Sequence, residues 1–205
     1  YYRDASTRDA IDGTSEFLEY VKNHGKNIEN KVNVAVTPRF IPSCTDEALN
    51  ALGDLASTHS SYIQTHCSES DWEHNYVIER CGKSDTEALM EYGLLTESTI
   101  LAHGNFISEN DMDLIKEQGA GVAHCPLSNY FFSDAVFPLR RALEKGLRVG
   151  LGTDISGGPS ASVLESCRSA ITAARALENG TDASLERDER GVPKSRVDFS
   201  DAFYL

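Results

Sequence analysis

The sequence predicts an α/β fold built on a parallel β-sheet. Short runs rich in β-branched and apolar residues recur along the chain, and each is followed by a polar residue, a turn and a helical segment of about ten residues or more. This alternation is typical of parallel βα units. Five such runs occur, at residues 31–40, 62–69, 98–104, 119–126 and 148–154. All are hydrophobic through their middle, which predicts strands that are buried on both faces.

Strand and helix positions follow from these runs and from the residues between them. We place the strands near residues 31–37, 62–66, 98–103, 119–124 and 148–154. Thr45 is placed to cap the helix that precedes the second strand. We expect helices at 109–118 and 135–145 to stop at Gly119 and Gly146, because each glycine stands where a left-handed residue ends a helix.

We treat residues 1–205 as a single catalytic domain in which the polar, charged segment 178–196 forms an exposed loop. The chain starts with Tyr1 rather than methionine, and its last residues follow a helical pattern that simply stops. We therefore expect a fragment of a longer chain.

The composition is that of an acidic globular protein. A net charge of −13 would repel phosphate backbones and anionic lipids, so neither nucleic acid nor a membrane is an expected partner. No apolar run approaches the roughly 20 residues of a membrane span, and the N-terminus does not resemble a signal peptide, so the cytoplasm is the expected location. The five cysteines form no C-x-x-C pair, which argues against a disulfide framework or a thiolate zinc site.

Polar side chains with catalytic potential stand where the predicted strands end. In a parallel sheet or barrel, the C-terminal strand ends converge on the active site. The residues at these places are Arg39, Phe40, His66, Glu69, His103, His124 and Asp154. Each alone would mean little, but three histidines and an aspartate at equivalent places in four βα units indicate a shared site.

This set fits a hydrolytic metal site. A catalytic zinc takes imidazole and carboxylate ligands and keeps one position open for water, and His66 and Asp154 fit as ligands. Glu69 follows closely enough in the same loop to shuttle a proton between bound water and substrate. His103 could ligate the metal, or it could hydrogen-bond the attacking water and stabilise the developing oxyanion. The residues alone leave both roles open.

Residues next to these side chains have simpler interpretations. The Gly157–Gly158 pair after Asp154 matches neither a P-loop nor a dinucleotide fingerprint, so we expect a flexible turn. Cys67 and Cys125 each adjoin a strand histidine, but neighbours along a strand point to opposite faces. We therefore interpret both cysteines as packing residues.

Arg39 and Phe40 form a candidate substrate contact. The Arg39 guanidinium could hydrogen-bond a carbonyl or ring nitrogen, or it could be an ordinary surface side chain. Phe40 could stack on a planar substrate. We interpret the histidines outside the strand ends as structural: His24, His59 and His74.

Five stretches carry a family resemblance: VTPRF (36–40), IQTHCSES (63–70), ILAHGNFIS (100–108), GVAHCPLSN (121–129) and VGLGTDISGG (149–158). In order and interval they resemble the fourth to eighth barrel strands of the amidohydrolase superfamily and, within it, of the guanine deaminase family. The combination of TPRF, HxSE, AHG, HCPxSN and GTD is strongly specific. The resemblance implies a partial TIM-like (β/α)8 barrel of the amidohydrolase type.

The resemblance also implies a reaction, the hydrolysis of guanine to xanthine and ammonia by a zinc-activated water. It makes His66 and Asp154 the metal ligands, Glu69 the proton shuttle and His103 an orienter of water or substrate, with Glu69, His103 and Asp154 as the catalytic residues. The implied substrate-binding residues are Arg39, Phe40, His66, Glu69 and Asp154. Full-length members of the family are commonly homodimers.

The sequence departs from the family pattern at a few positions. Cys67 and Ser70 stand where the family usually has isoleucine and asparagine, outside the reacting groups. The family's metal site also uses a His-x-His pair, and this sequence contains none. Three hypotheses remain: a guanine deaminase, an amidohydrolase that deaminates another aminated purine or triazine ring, and a catalytically incomplete fragment without activity of its own.

Overall fold

The computed structural model describes residues 4–24 and 32–205. Within these ranges, five strands form one sheet in which each strand pairs in parallel with the next in chain order. The strands are β1 (Ala35–Val36), β2 (Tyr62–Cys67), β3 (Thr99–His103), β4 (Gly121–His124) and β5 (Arg148–Leu151). The predicted α/β fold with a parallel sheet of about five βα units is confirmed.

The first strand is short. Lys31, at the start of the strand predicted at 31–37, lies outside the described residues, and regular pairing is confined to β1. Pro38 has no N–H group and cannot donate to the ladder. The Arg39 carbonyl nevertheless accepts a hydrogen bond from the His66 amide at 3.0 Å. Arg39 is therefore held beside the C-terminal end of β2.

Helices connect the strands: α1 (Thr7–His24), α2 (Asp46–His59), α3 (Asp71–Cys81), α4 (Asp85–Glu91), α5 (Glu109–Gln118), α6 (Pro126–Ser128), α7 (Leu139–Lys145), α8 (Val163–Asn179) and α9 (Phe199–Phe203). Thr45 caps α2, and α5 and α7 end at Gly119 and Gly146 with φ angles of 72° and 80°. The helix predicted at 135–145 begins later than expected, at Leu139, because Pro138 disfavours helical backbone in the residue before it. None of the described helices is long and apolar enough to cross a membrane.

The sheet buries one of its faces within the described ranges. Ile63, Leu101 and Val122 face the helices and are at most 2% exposed. On the opposite face, Tyr62 is 52% exposed and Ile100 is 48% exposed. The expectation that the strands are buried on both faces is therefore wrong for the described residues, because the helices that surround them pack against one side only.

The segment between α8 and α9 contains neither helix nor strand. It folds back onto the end of α8, where the Val192 amide donates to the Leu177 carbonyl at 2.8 Å and the Arg196 amide donates to the Glu178 carboxylate at 3.0 Å. These contacts hold a polar and mostly exposed segment against the helix.

Candidate active site

His66, near the C-terminal end of β2, has one ring nitrogen already engaged. Its Nδ1 lies 2.6 Å from the Arg39 carbonyl oxygen, which can only accept a hydrogen bond, so Nδ1 carries a proton. Nε2 of the neutral ring then presents a lone pair, the form in which histidine binds a metal. A carbonyl behind the imidazole is also a common partner of metal-bound histidines, because it fixes the tautomer and the orientation of the ring.

Glu69 and His103 lie beside this ring. The His66 and His103 rings stack with centroids 5.2 Å apart, and Glu69 Oε1 lies 3.5 Å from His103 Nε2. One potential ligand atom from each of the three residues lies within 4.8 Å of the other two. His103 Nε2 is buried and has no hydrogen-bond partner in the described part of the chain. Two imidazole nitrogens and a carboxylate oxygen suit zinc, so these residues fit a metal ion.

Asp154 reaches the same region from the loop that follows β5. A cavity of about 320 Å³ is lined by Arg39, His66, Glu69, Phe132, Asp154, Ile155, Ser156 and Gly157. The cluster of ligand atoms within 4.8 Å contains His66, Glu69 and His103 but, among the described residues, not Asp154. The role of Asp154 as a metal ligand therefore stays a prediction, as do the catalytic and substrate-binding roles of the other residues.

The turn after Asp154 requires its two glycines. The amides of Gly157 and Gly158 donate to the Asp154 carbonyl at 2.9 and 2.6 Å. A Cβ atom at Gly157 would lie 2.5 Å from Asp154 Oδ2, and one at Gly158 would lie 2.5 Å from the Thr153 carbonyl oxygen. A larger residue at Gly157 would therefore displace the Asp154 carboxylate, and one at Gly158 would displace the Thr153 backbone.

Three residues at strand ends adopt left-handed backbone although they are not glycine. Ser68, His103 and Asp154 have φ angles of 48°, 74° and 44°. The register of β2 and β3 pairs His103 with Cys67, so regular alternation would place its ring on the face opposite to His66. The unusual backbone of His103 breaks this alternation and lets the two rings stack. Strained backbone of this kind concentrates at functional sites.

Arg39 and Phe40 form the outer wall of the site. The Arg39 guanidinium lies 5.1 Å from the centroid of the Phe40 ring. Phe40 in turn packs against Trp72, with ring centroids 6.2 Å apart. Arg39 lines the cavity, and Phe40 contacts its guanidinium. Stacking of Phe40 on a substrate stays a prediction.

His124 lies in the interior rather than in the cavity. It is 1% exposed, it packs against Phe137 with ring centroids 5.1 Å apart, and burial lowers its pKa to about 3. Cys67 and Cys125 are also buried, and burial raises the pKa of both thiols, that of Cys125 to about 12. All three side chains are therefore neutral, and the cysteines pack as the sequence indicated.

Two buried amides connect the catalytic candidates, and the sequence did not predict a role for either. Asn105 bonds the Glu69 carbonyl, Asn129 bonds His103, and the two amides bond each other. Both asparagines stand within the motif stretches AHGN and HCPLSN, so a signal was present. Their contacts with Glu69 and His103 depend on the tertiary fold and could not be predicted from position in the sequence.

A pair of buried carboxylic acids lies behind Glu69 and was also missed. Glu73 accepts the backbone N–H of Glu69 at 2.8 Å, and Asp85 accepts the Ser68 hydroxyl at 3.0 Å. Glu73 is 1% exposed and Asp85 is fully buried. Burial and the neighbouring Asp85 carboxylate raise the pKa of Glu73 to about 8. Both residues stand in polar helical stretches, where nothing in the sequence marks them as buried.

Comparison with known proteins identifies the family. The model of the amidohydrolase family matches residues 4–196. The chain belongs to the amidohydrolase family. This amidohydrolase is 35% identical to the guanine deaminase of Dictyostelium discoideum over 98% of the chain and 42% of that protein. It is 36% identical to 5-methylthioadenosine/S-adenosylhomocysteine deaminase 2 of Archaeoglobus fulgidus over 67% of the chain and 33% of that protein.

A solved structure extends this similarity to the fold. The crystal structure of guanine deaminase from C. acetobutylicum with bound guanine in the active site is 29% identical to this amidohydrolase, with a TM-score of 0.70. The match covers 82% of the chain and 38% of that structure. The five-stranded parallel sheet thus agrees with the amidohydrolase barrel that the motifs indicated. The chain spans less than half the length of the curated relatives it matches.

Proposed function

We propose that the full-length protein is a zinc-dependent hydrolase that converts guanine and water to xanthine and ammonia. The observation that carries this proposal is the Glu69 carboxylate held 3.5 Å from His103 Nε2, beside the stacked ring of His66. A proton carrier therefore stands next to imidazoles that suit a metal and its water. Similarity to a curated guanine deaminase over nearly the whole chain supports the substrate.

In the proposed reaction, water adds to the ring carbon that bears the exocyclic amine, the carbon–nitrogen bond breaks, and ammonia leaves. Zinc held by His66 and Asp154 would lower the pKa of water to about 7. Glu69 accepts the proton of the water and returns it to the departing nitrogen. His103 hydrogen-bonds the attacking water or the developing oxyanion.

Arg39 supplies a reason to prefer guanine over adenine. Its guanidinium lines the cavity and can donate to the guanine carbonyl, which adenine lacks. A site that donates to a substrate oxygen discriminates strongly against analogues without it, because the donor is then left unpaired. The cation–π contact with Phe40 helps to hold the guanidinium in place.

Two alternatives have support of their own. The similarity to the Archaeoglobus fulgidus enzyme favours an amidohydrolase that deaminates another aminated ring, such as an adenosine-like or triazine substrate. The absence of a His-x-His pair from the sequence favours a chain that is catalytically incomplete on its own.

Substrate choice is tested by ammonia release from guanine, adenosine, 5-methylthioadenosine and an aminated triazine, each incubated with the full-length protein and zinc. We expect turnover of guanine above all others. Turnover of another ring with guanine untouched would show that guanine is not the substrate.

Metal analysis of the 205-residue chain tests whether this chain is catalytically complete on its own. Stoichiometric zinc together with turnover would exclude the incomplete fragment. We also propose a cytoplasmic homodimer for the full-length protein, which fractionation and analytical ultracentrifugation would test.

A further inference from the structure

Glu69, Asn105, Asn129 and His103 are joined by a chain of three hydrogen bonds. Asn105 Nδ2 donates to the Glu69 carbonyl at 2.8 Å, and Asn129 Nδ2 donates to Asn105 Oδ1 at 2.6 Å. Asn129 Oδ1 lies 2.9 Å from His103 Nδ1. The Glu69 side chain lies near the other end of this chain of hydrogen bonds, with its Oε1 3.5 Å from His103 Nε2.

The direction of these bonds is fixed from one end. The Glu69 carbonyl has no proton, so Asn105 must turn its NH2 group toward it. The oxygen of Asn105 then faces Asn129, so Asn129 must donate a hydrogen bond to it from its own NH2 group. The oxygen of Asn129 is left for His103, whose Nδ1 must therefore be the donor. A single carbonyl thus decides, through two amides, which nitrogen of His103 carries the proton.

Burial of these hydrogen-bonded residues makes a mismatched tautomer of His103 unfavourable. Asn129 is 1% exposed, Asn105 is 8% exposed and His103 is fully buried, so water cannot replace a mismatched partner. If His103 carried its proton on Nε2 instead, Nδ1 and the Asn129 oxygen would face each other as two acceptors. A buried polar group that is left without a hydrogen-bond partner destabilises the folded protein. Flipping both amides would only move the mismatch to the Glu69 carbonyl.

We propose that Asn105 and Asn129 are positioning residues that hold His103 in the Nδ1-protonated tautomer, which leaves the lone pair on Nε2. The proposal rests on the proposed function only for the use of that lone pair. There, Nε2 accepts a hydrogen bond from the water or the substrate, or binds metal, while Glu69 moves the proton. His103 Nε2 has no other partner among the described residues, which leaves it available for this role.

The backbone positions the side-chain amides of Asn105 and Asn129 for these hydrogen bonds. Asn105 follows His103 and Gly104, whose φ angles of 74° and 67° turn the chain back toward Glu69. Asn129 opens a single π-helical turn, Asn129–Ser133, directly after α6. Such turns occur frequently at functional sites.

The proposal is tested first without any substitution, by ¹⁵N NMR of histidine side chains in the metal-free full-length protein, with His103→Gln used only to assign the signal. We expect a pyrrole-type signal at Nδ1 and a pyridine-type signal at Nε2 of His103. A pyridine-type Nδ1, or two pyrrole-type nitrogens near neutral pH, would overturn the proposal. Because this measurement needs no turnover, it stays valid if the protein does not deaminate guanine.

Two variants then test whether the hydrogen bonds of Asn105 and Asn129 determine the tautomer of His103. Asn129→Leu and Asn105→Ser should each replace the single tautomer by a mixture and lower kcat on the order of tenfold or more, with little change in KM or zinc content. The matched control is Asn50→Leu, at an exposed asparagine of α2. If either folded variant keeps His103 in the single Nδ1-protonated tautomer, the hydrogen bonds of the two asparagines do not determine that tautomer. The second variant remains informative if the first does not fold.

Discussion

The imidazole rings of His66 and His103 stack 5.2 Å apart, although the register of their strands pairs His103 with Cys67 and would separate the two rings. The left-handed backbone at His103 resolves this conflict. The same geometry places His103 Nε2 beside Glu69, so the Glu69 carboxylate and the two imidazoles form one group.

Glu69→Gln should keep zinc but lower kcat by at least about 100-fold, because it removes a proton carrier and preserves the shape of the side chain. The measurement is ammonia release together with metal analysis of the same sample. Glu79→Gln, at an exposed position of α3, is the control and should leave both values unchanged. Retained activity in the Glu69 variant would show that another group moves the proton.

Gly157→Ala should weaken zinc binding and catalysis, because the added Cβ would lie 2.5 Å from Asp154 Oδ2 and must displace the carboxylate. Gly13→Ala is the matched control. No atom lies within 4 Å of a Cβ at Gly13 in α1, so this change should stabilise the helix by about 0.5–1 kcal/mol and leave activity intact. Equal zinc affinity in both variants would argue against Asp154 as a ligand.

Glu73→Gln should stabilise the protein progressively as the pH rises from about 4.5 to 8. The folded state holds Glu73 neutral up to about pH 8, whereas the unfolded chain releases the proton near pH 4.5, so native stability is lost across this window. Glutamine mimics the neutral acid, so the variant does not lose this stability as the pH rises. The stability concerned is on the order of a few kcal/mol. Urea unfolding of metal-free protein at pH 5 and pH 9 measures it. An equal difference in the free energy of unfolding between the variant and the parent protein at both pH values would show that Glu73 is not held neutral in the folded state.

His124→Gln should reduce the sensitivity of the protein to acid. Burial lowers the pKa of His124 to about 3, whereas the unfolded chain binds a proton near pH 6.5. The stability from the neutral imidazole is therefore present above pH 6.5 and is lost as the pH falls toward 3. The variant is expected to be less stable at pH 7, where packing against Phe137 is lost, but its stability should fall less between pH 7 and pH 4. Parallel falls in both proteins would contradict the prediction.

Much of the fold could be predicted because local signals control it. Hydrophobic runs mark the five strands, and glycines with positive φ end α5 and α7 where the sequence indicated. The polar residues at the strand ends also identified Arg39, His66 and Glu69, which the structure brings to one cavity.

The remaining features depend on tertiary structure. Nothing in AHGN shows that His103 adopts a φ of 74°, and nothing in the helix of Glu73 shows that this carboxyl is buried beside Asp85. His124 stands at a strand end like the other histidines, yet its side chain lies in the interior. Strand position therefore predicts which residues lie near the site, but tertiary packing decides which of their side chains line the cavity.

The left-handed residues Ser68, His103 and Asp154 also bear on protein engineering. Glycine adopts their backbone angles without steric cost, so a search for thermostable variants that scores backbone geometry alone would favour glycine at each position. Two of those substitutions would remove His103 and Asp154 themselves. Such variants would lose side chains that are proposed to act in catalysis, so screens of this protein should measure turnover as well as heat tolerance.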